Sequence, residues 1–177
     1  MTSTVTSTGV PVAAPPAAPP VADVRWLTAD EQRLWRAFRD GTARLGDALA
    51  HELEKGSGLS IHEYEVLVRL SETPGRTMRM SELASGIAHS RSRLTHTIRR
   101  MEERGLVERA ACSADARGVN CTMTDEGWRV LVAAAPGHVQ SVRDHLVDVL
   151  TPEQFRALGE AMETVRAHLL RGPCHTD

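Results

Sequence analysis

Apolar residues recur at helical spacing along most of the chain, and segments rich in glycine, proline or polar residues separate these stretches. The first stretch starts at Thr28, where Glu31 three residues later gives the spacing of a capping box. One face then carries Leu34, Phe38, Leu45, Leu49 and Leu53, which predicts a helix to about residue 54. The glycines of "EKGSGLS" end this helix, and "IHEYEVLVRLSE" predicts a second helix that "TPGR" ends.

Two short helices and two strands are predicted in the middle of the chain. The segment "MSELASGI", residues 80–87, predicts a third helix with Ser81 as its N-cap. A fourth helix is expected to begin at a Ser90 cap and run to about Arg104, with Gly105 at the C′ position. Two strand-like pieces, "LVERA" and "VNCTMT", flank the polar loop "CSADARG". A ribbon directly after a helix–turn–helix is the layout of a winged helix.

Two further helices are predicted at the C-terminal end. Thr124 caps a long helix to about Leu150, which Pro136-Gly137 is expected to interrupt with a bend. Thr151 followed by Pro152 begins the last helix. Its apolar residues alternate steps of three and four as a heptad seam: Phe155, Leu158, Met162, Val165 and Leu169. Such a seam favours a helical dimer interface, although it could also pack on the chain's own core.

Composition narrows the setting in which this chain works. Residues 1 to about 24 are rich in Thr, Ser, Pro and Ala and carry no charge before Asp23, which predicts a disordered tail. The chain shows no secretory signal and no apolar run of about 20 residues, so we expect no membrane span. Three cysteines make no disulfide framework, which favours the cytoplasm. Enzyme motifs such as a Gly-x-Ser-x-Gly elbow or a phosphate loop are absent, and no cofactor is indicated.

Positive charge is concentrated in the predicted winged helix. Residues 76–117 hold nine arginines against five acidic residues, a net charge of +4, although the formal net charge of the whole chain is −2. On a helical projection of the fourth helix, Leu94, Ile98 and Met101 form a buried stripe. The other sides carry Arg91, Ser92, Arg93, Thr95, His96, Arg99 and Arg100. A helix start with arginines instead of acidic residues is suited to an anion, and phosphate is the obvious one.

The predicted wing adds a second cationic element. Its tip carries "DAR", Asp115 to Arg117. An arginine at a protruding tip can enter the narrow minor groove of A·T-rich DNA. Taken with the helix–turn–helix and the charge distribution, this pattern predicts contact with double-stranded DNA.

Several of these motifs together resemble the MarR family of bacterial winged-helix transcription regulators. They are "MSELASGIAHSRSRLTHTIRRMEERGLVER" and "DARGVNCTMTDEGWRVL", and the similarity extends over roughly residues 28 to 170. The resemblance implies a mainly α (α+β) fold, a winged helix–turn–helix with N- and C-terminal dimerisation helices. It also implies a homodimer, expected to act as a repressor on a pseudopalindromic operator. The DNA-binding lobe would occupy about 58–124, between dimerisation helices at about 28–55 and 125–170, with a short tail at 171–177.

The resemblance also assigns roles to individual residues. It places Arg117 in the minor groove and makes Arg99 a further candidate, whereas Arg109 could brace the wing or touch DNA. The positions that such proteins use for major-groove and backbone contacts are Ser90, Arg91, Ser92, Arg93, Thr95 and His96. Relatives often respond to small aromatic ligands, and the residues that could line such a pocket here are Trp35, His51, His62 and Tyr64.

Other interpretations remain open at this point. A winged helix can serve as an architectural module or bind an acidic protein without a specific operator. His138 and His145, seven residues apart, could form half a zinc site, although clustered cysteine or carboxylate ligands are lacking and we expect no metal. Cys112 and Cys121 flank the wing loop and could face each other across the hairpin, but nothing indicates a lowered thiol pKa, which favours unreactive strand residues.

Overall fold

The computed structural model describes residues 24–86, 91–112 and 115–171, and these fall into two units, 24–37 and 38–171. The described helices are α1 Ala29–Ser57, α2 Ile61–Ser71, α3 Met80–Gly86, α4 Arg91–Glu103, α5 Asp125–Val142 and α6 Pro152–Leu170. The described strands are β1 Thr77–Arg79, β2 Val107–Cys112 and β3 Asp115–Met123. The mainly α fold with a small β component is confirmed. None of these helices is long and apolar enough to cross a lipid bilayer.

Helix α1 begins as predicted and ends later than predicted. The backbone N–H of Thr28 donates to the Glu31 carboxylate at 2.7 Å, and the Glu31 N–H donates back to the Thr28 hydroxyl at 3.2 Å. The helix continues to Ser57, where Gly58 takes a positive φ of 68° and donates its N–H to the carbonyl of Glu54. Glycine adopts this left-handed conformation without a steric penalty, so Gly58 ends the helix.

The sheet contains a strand that the sequence pattern did not predict. Its order is β1-β3-β2, with both pairs antiparallel. Strand β1 has only three residues, too few to show an alternating pattern, and Thr77 lies opposite Thr122 with their hydroxyl oxygens 2.9 Å apart. Strand β3 starts at Asp115, so part of the segment predicted as a loop is strand. Pairing with β2, which places Cys112 opposite Asp115, extends β3 beyond its local propensity.

The buried core lies in the helix–turn–helix and the sheet beside it. Fully buried side chains come from α2, α3, α4 and the strands: Val66, Leu67, Leu70, Leu83, Ile98, Met101, Val107 and Cys121. Helix α5 adds Leu131 and Ala134 to the same cluster. Because the apolar stripe of α4 is buried in this core, the packing fixes which side of α4 faces outward.

The C-terminal end of α4 is closed by backbone hydrogen bonds. Gly105 has a positive φ of 69° and donates its N–H to Glu102, while the Leu106 N–H donates to Met101, both at 2.9 Å. This pair is a Schellman motif, and it confirms Gly105 as the C′ residue of α4. By contrast, Ser81 is not the N-cap of α3, because α3 begins at Met80 and Ser81 lies within its first turn. The proposed cap of α4, Ser90, lies outside the described residues.

Thr124 and Gly127 join the start of α5 to the end of α4. The Thr124 hydroxyl accepts from the Gly127 N–H at 3.0 Å and donates to the Gly105 carbonyl at 2.7 Å, so it caps α5 as predicted. Gly127 is buried, and a Cβ placed on it would lie 2.2 Å from the carbonyl oxygen of Leu106. Only glycine permits this close approach of the two backbones.

The C-terminal helices differ from prediction at one point. Helix α5 passes through Pro136 without the expected interruption, and the irregularity lies further on, in a π-helical turn at Arg143–Val147. Helix α6 begins at Pro152 with Thr151 as its N-cap, as predicted, and Gln154 completes a capping box that was not predicted. Four of its five seam residues are exposed: Phe155, Met162, Val165 and Leu169.

Candidate nucleic-acid interface

The apolar stripe of α4 is buried as predicted. Leu94, Ile98 and Met101 all belong to the core cluster. Because they repeat at steps of four and three, they fix the rotation of α4 about its own axis. The opposite side of the helix therefore faces away from the core.

The exposed side of α4 combines cationic groups with short hydrogen-bonding side chains. The exposed residues of this side are Ser92, Arg93, Thr95, His96 and Arg99. Arg100 is exposed as well, but it forms an ion pair with Glu63 of α2. The first turn contains no acidic residue. Arg91 lies in this turn and Arg117 lies in β3, but the predictions for their side chains, like those for Ser90, fall outside the described part of the chain. The arrangement suits a ligand that carries negative charge and hydrogen-bonding edges.

A buried carboxylate binds the C-terminal part of α4, and the sequence analysis did not single it out. Glu63 of α2 is 1% exposed, and its Oε1 lies 3.2 Å from Nη1 of Arg104 and 3.6 Å from Nη2 of Arg100. Its spacing from Ser60 is that of a capping box, so the cap was visible in the sequence. The two arginine contacts were not, because about 40 residues of chain separate the partners.

Arg109 braces the wing against α4. Its backbone N–H donates to the Glu102 carboxylate at 3.1 Å, and its Nε donates to the same carboxylate at 2.9 Å. The Arg109 guanidinium lowers the pKa of the Glu102 carboxyl, chiefly through the side-chain hydrogen bond. Arg99, in comparison, forms an exposed ion pair with Glu103 at 3.2 Å. Two roles were predicted for Arg109, bracing the wing or touching DNA, and the structure shows the contact that braces the wing.

A further arginine links the turn before β1 to α5. Arg76 has a positive φ of 53°, and its guanidinium lies 4.3 Å from the ring centroid of Trp128 and 3.3 Å from Asp125. The cation–π contact and the ion pair offset the cost of this conformation. No local pattern pointed to Arg76, since its partners lie 49 or more positions away.

Comparison with known proteins places this arrangement in a family. Sco3205, a MarR family transcriptional regulator from Streptomyces coelicolor solved in complex with DNA, is 43% identical over 87% of this chain and 97% of its own, with a TM-score of 0.82. The chain belongs to the MarR family. AbsC, another MarR family regulator from the same organism, is 42% identical over 82% of this chain and 98% of its own, with a TM-score of 0.78.

Two sequence comparisons agree with this membership. The MarR family profile matches residues 59–119, which include α2, α3, α4, β2 and the first half of β3. The HTH-type transcriptional regulator PecS of Dickeya dadantii (strain 3937) is 26% identical over 113 residues, which is 63% of this chain and 68% of PecS. The matched region thus contains the candidate interface.

This MarR family chain also has a pocket beside α2 and α5. Its volume is about 360 Å³, and Tyr64 and His138 contribute to its lining with their ring centroids 4.5 Å apart. Of the four residues predicted for a ligand, Tyr64 lines this pocket, whereas His51 and His62 do not, and Trp35 is exposed on the N-terminal unit.

Two aromatic side chains of the pocket are neutral near physiological pH. Burial raises the pKa of the Tyr64 phenol and lowers the pKa of the His138 imidazole. Nδ1 of His138 is buried and has no hydrogen-bond partner among the described residues.

The two histidines considered for zinc serve different contacts. His138 packs on Tyr64, while Nε2 of His145 lies 2.7 Å from Oε1 of Glu52. Within the ranges that the structure describes, no group of three or more His, Cys, Asp or Glu side chains could hold a metal ion.

The two wing cysteines do not face each other across the hairpin, so that hypothesis is wrong. The strand register pairs Cys121 with Arg109 and Cys112 with Asp115, with an irregularity next to Cys112. Cys121 is buried, and this burial raises the pKa of its thiol to about 12.

We expect Cys121 to resist alkylation in the folded protein. With a pKa of about 12 only about one thiol in 10⁴ is ionised at pH 8, and the thiolate is the reactive form. Iodoacetamide at pH 8 should leave the Cys121 peptide unmodified in the native protein and label it fully in guanidinium chloride, as measured by mass spectrometry. Native labelling at the denatured rate would contradict the inert assignment.

Proposed function

We propose that this chain is a non-enzymatic, sequence-specific regulator that binds double-stranded DNA and represses transcription in the cytoplasm. The observation that carries this proposal is the outward side of α4, where arginine, histidine and hydroxyl groups stand opposite a fully packed apolar stripe. A basic, hydrogen-bonding helix surface next to a wing is suited to the major groove. The complex of Sco3205 with DNA supports the same assignment.

The proposed DNA contacts are of two kinds: contacts to phosphates, which position the protein on the duplex, and contacts to base edges, which read its sequence. Ser90, Arg91 and Arg99, together with the start of α4, would bind phosphates and set the register on the duplex. Arg117 would enter the minor groove from the wing. The side chains proposed to read base edges in the major groove are Ser92, Arg93, Thr95 and His96.

A homodimer completes the proposed site. The exposed apolar seam of α6 supports it, because such a seam is costly to leave in water. On α1, Leu34 and Phe38 are exposed as well. Two-fold symmetry would place the two α4 helices about 34 Å apart, one turn of the duplex, on a pseudopalindromic operator.

Binding to duplex DNA at several salt concentrations tests this function. DNA flanking the chain's own gene is titrated beside a scrambled duplex of the same length and composition. We expect two chains per operator duplex, a preference of roughly 10³ or more over scrambled DNA, and a steep loss of affinity as salt rises. Equal affinity for both duplexes would favour the architectural role. If neither duplex binds, the result would favour the alternative in which the basic side of α4 binds an acidic protein.

Release by a small aromatic effector is the regulatory part of the proposal. The pocket of Tyr64 and His138 supports it through its size and the two aromatic rings in its lining. A panel of phenols and aromatic carboxylic acids added to the same assay should include compounds that release the wild-type protein and fail on Tyr64→Ala. Identical release of both proteins would place the effector elsewhere.

A further inference from the structure

We propose that Glu63 sets the specificity of the DNA-binding surface by holding Arg100 and Arg104 away from phosphates. Glu63 would act as a positioning residue in α2 and would not touch DNA. This inference rests on the proposed function, because it requires α4 to contact a duplex.

Both carboxylate oxygens of Glu63 have partners, one at the start of α2 and one at the end of α4. Its Oε2 accepts from the backbone N–H of Ser60 at 2.8 Å and from the Ser60 hydroxyl at 2.9 Å. Its Oε1 faces the guanidinium groups of Arg104 and Arg100 at 3.2 and 3.6 Å. One carboxylate therefore closes the start of α2 and binds the end of α4 at the same time.

The negative charge of Glu63 is more than the helix cap requires. Helix α6 has the same capping box with Gln154 in the equivalent place, so an uncharged amide is sufficient there. What a glutamine cannot supply is the ion pair with the two arginines. The box of α1 uses Glu31, so a cap accepts either side chain, and at position 63 the charge has an additional role in binding α4.

Arg100 and Arg104 remain accessible despite their contact with Glu63. Their side chains are 54% and 38% exposed, and they are one helical turn apart. Without the carboxylate, both guanidinium groups could turn to nearby phosphates. Phosphate contacts strengthen binding to any sequence, and each steepens the dependence of affinity on salt by roughly 0.9 in the logarithmic slope. The ion pairs therefore keep non-specific affinity low.

The variant Glu63→Gln separates this role from a structural one. We expect it to bind a scrambled duplex roughly tenfold more tightly than the wild type, with a salt slope steeper by about one to two. Its preference for operator over scrambled duplex should fall by a similar factor. A purely structural role would weaken binding to both duplexes and would not steepen the slope.

The matched control is Glu65→Gln, on the same helix. Glu65 is half-buried and lies 3.9 Å from Arg69 of the same helix, so this change removes the same charge at an ion pair within α2. Thermal melts and dimer mass are recorded for each variant. If Glu63→Gln and Glu65→Gln show the same scrambled-duplex affinity and salt slope, the proposal is overturned.

A second arm addresses the arginines in the full-length protein. The double variant Arg100→Gln/Arg104→Gln should keep the wild-type salt slope, because Glu63 already occupies both groups. Adding Glu63→Gln to it should produce none of the gain in non-specific affinity. A slope lower by about one or two in the double variant would overturn the proposal. So would failure of both Glu63→Gln and the double variant to fold, which would show a structural role.

Measurements on the wild-type protein separate failure of the proposed function from failure of the role proposed for Glu63. If the wild type shows no preference for the operator duplex, the proposed function itself fails. If the wild type prefers the operator but Glu63→Gln has the same scrambled-duplex affinity and salt slope as Glu65→Gln, the chain is still a sequence-specific regulator. Only the role proposed for Glu63 then fails.

Discussion

Replacing Gly127 with alanine is expected to lower the free energy of unfolding by about 3 kcal/mol. A Cβ at this position would lie 2.2 Å from the Leu106 carbonyl oxygen and 2.9 Å from Cγ of Met123. The carbonyl cannot retreat, since it accepts from the Thr124 N–H at 3.1 Å while the Leu106 N–H is bound to Met101. Chemical denaturation followed by circular dichroism measures the change.

Gly137→Ala is the matched control for this prediction, in the same helix. No atom lies within 4 Å of a Cβ built at Gly137, so alanine there should be neutral or stabilise the protein by up to about 1 kcal/mol through its helix propensity. Equal stability of the two variants would show that α5 can shift away from the start of β2. The close approach of the two backbones at Gly127 would then not lower the free energy of unfolding of the alanine variant.

Replacing Arg93 with alanine is expected to weaken operator binding by about 5- to 150-fold. This range corresponds to the roughly 1–3 kcal/mol of a bidentate contact between an arginine and the O6 and N7 atoms of guanine. Arg93 is exposed beside buried Leu94 near the start of α4, the part of a recognition helix that approaches base edges. Fluorescence anisotropy with the operator and with single-base variants of it measures both affinity and preference.

The control for Arg93 removes an arginine elsewhere. Arg143 is exposed in the π-helical turn and lies 2.7 Å from Asp148, so Arg143→Ala changes the net charge equally and should alter affinity by no more than about twofold. Arg117→Ala should also weaken operator binding, through the wing. If Arg93→Ala weakens binding to all duplexes equally, Arg93 contacts phosphate rather than base edges. If neither Arg93→Ala nor Arg117→Ala changes the affinity, the proposed interface is refuted.

Features that depend on neighbouring residues could be predicted from the sequence. The capping pair at Thr28, the N-cap at Thr151, the C′ glycine Gly105 and the buried stripe of α4 all depend on residues within a few positions of one another. Their signals are strong because hydrogen bonds at helix ends and side chains on one helix face have fixed spacings.

Other features were missed because local patterns do not contain them. Strand β1 is too short for a period of two to appear, and it exists because β3 provides its hydrogen bonds. Ser81 looked like a cap but lies inside α3. The idea that two cysteines face each other depended on the hairpin register, and the observed register places Cys121 opposite Arg109, three residues before Cys112. In the two strand cases the pairing partner decided the outcome.

By itself, the sequence determined the order of the helices, the positions of most caps, the family resemblance and the two-sided character of α4. These follow from short-range spacing, which the chain carries in any conformation. Only the tertiary structure decided that Glu63 binds Arg100 and Arg104, that Arg109 braces the wing, and that Tyr64 meets His138 at a pocket. Contacts across two elements depend on how those elements pack, and a one-dimensional pattern does not specify that packing.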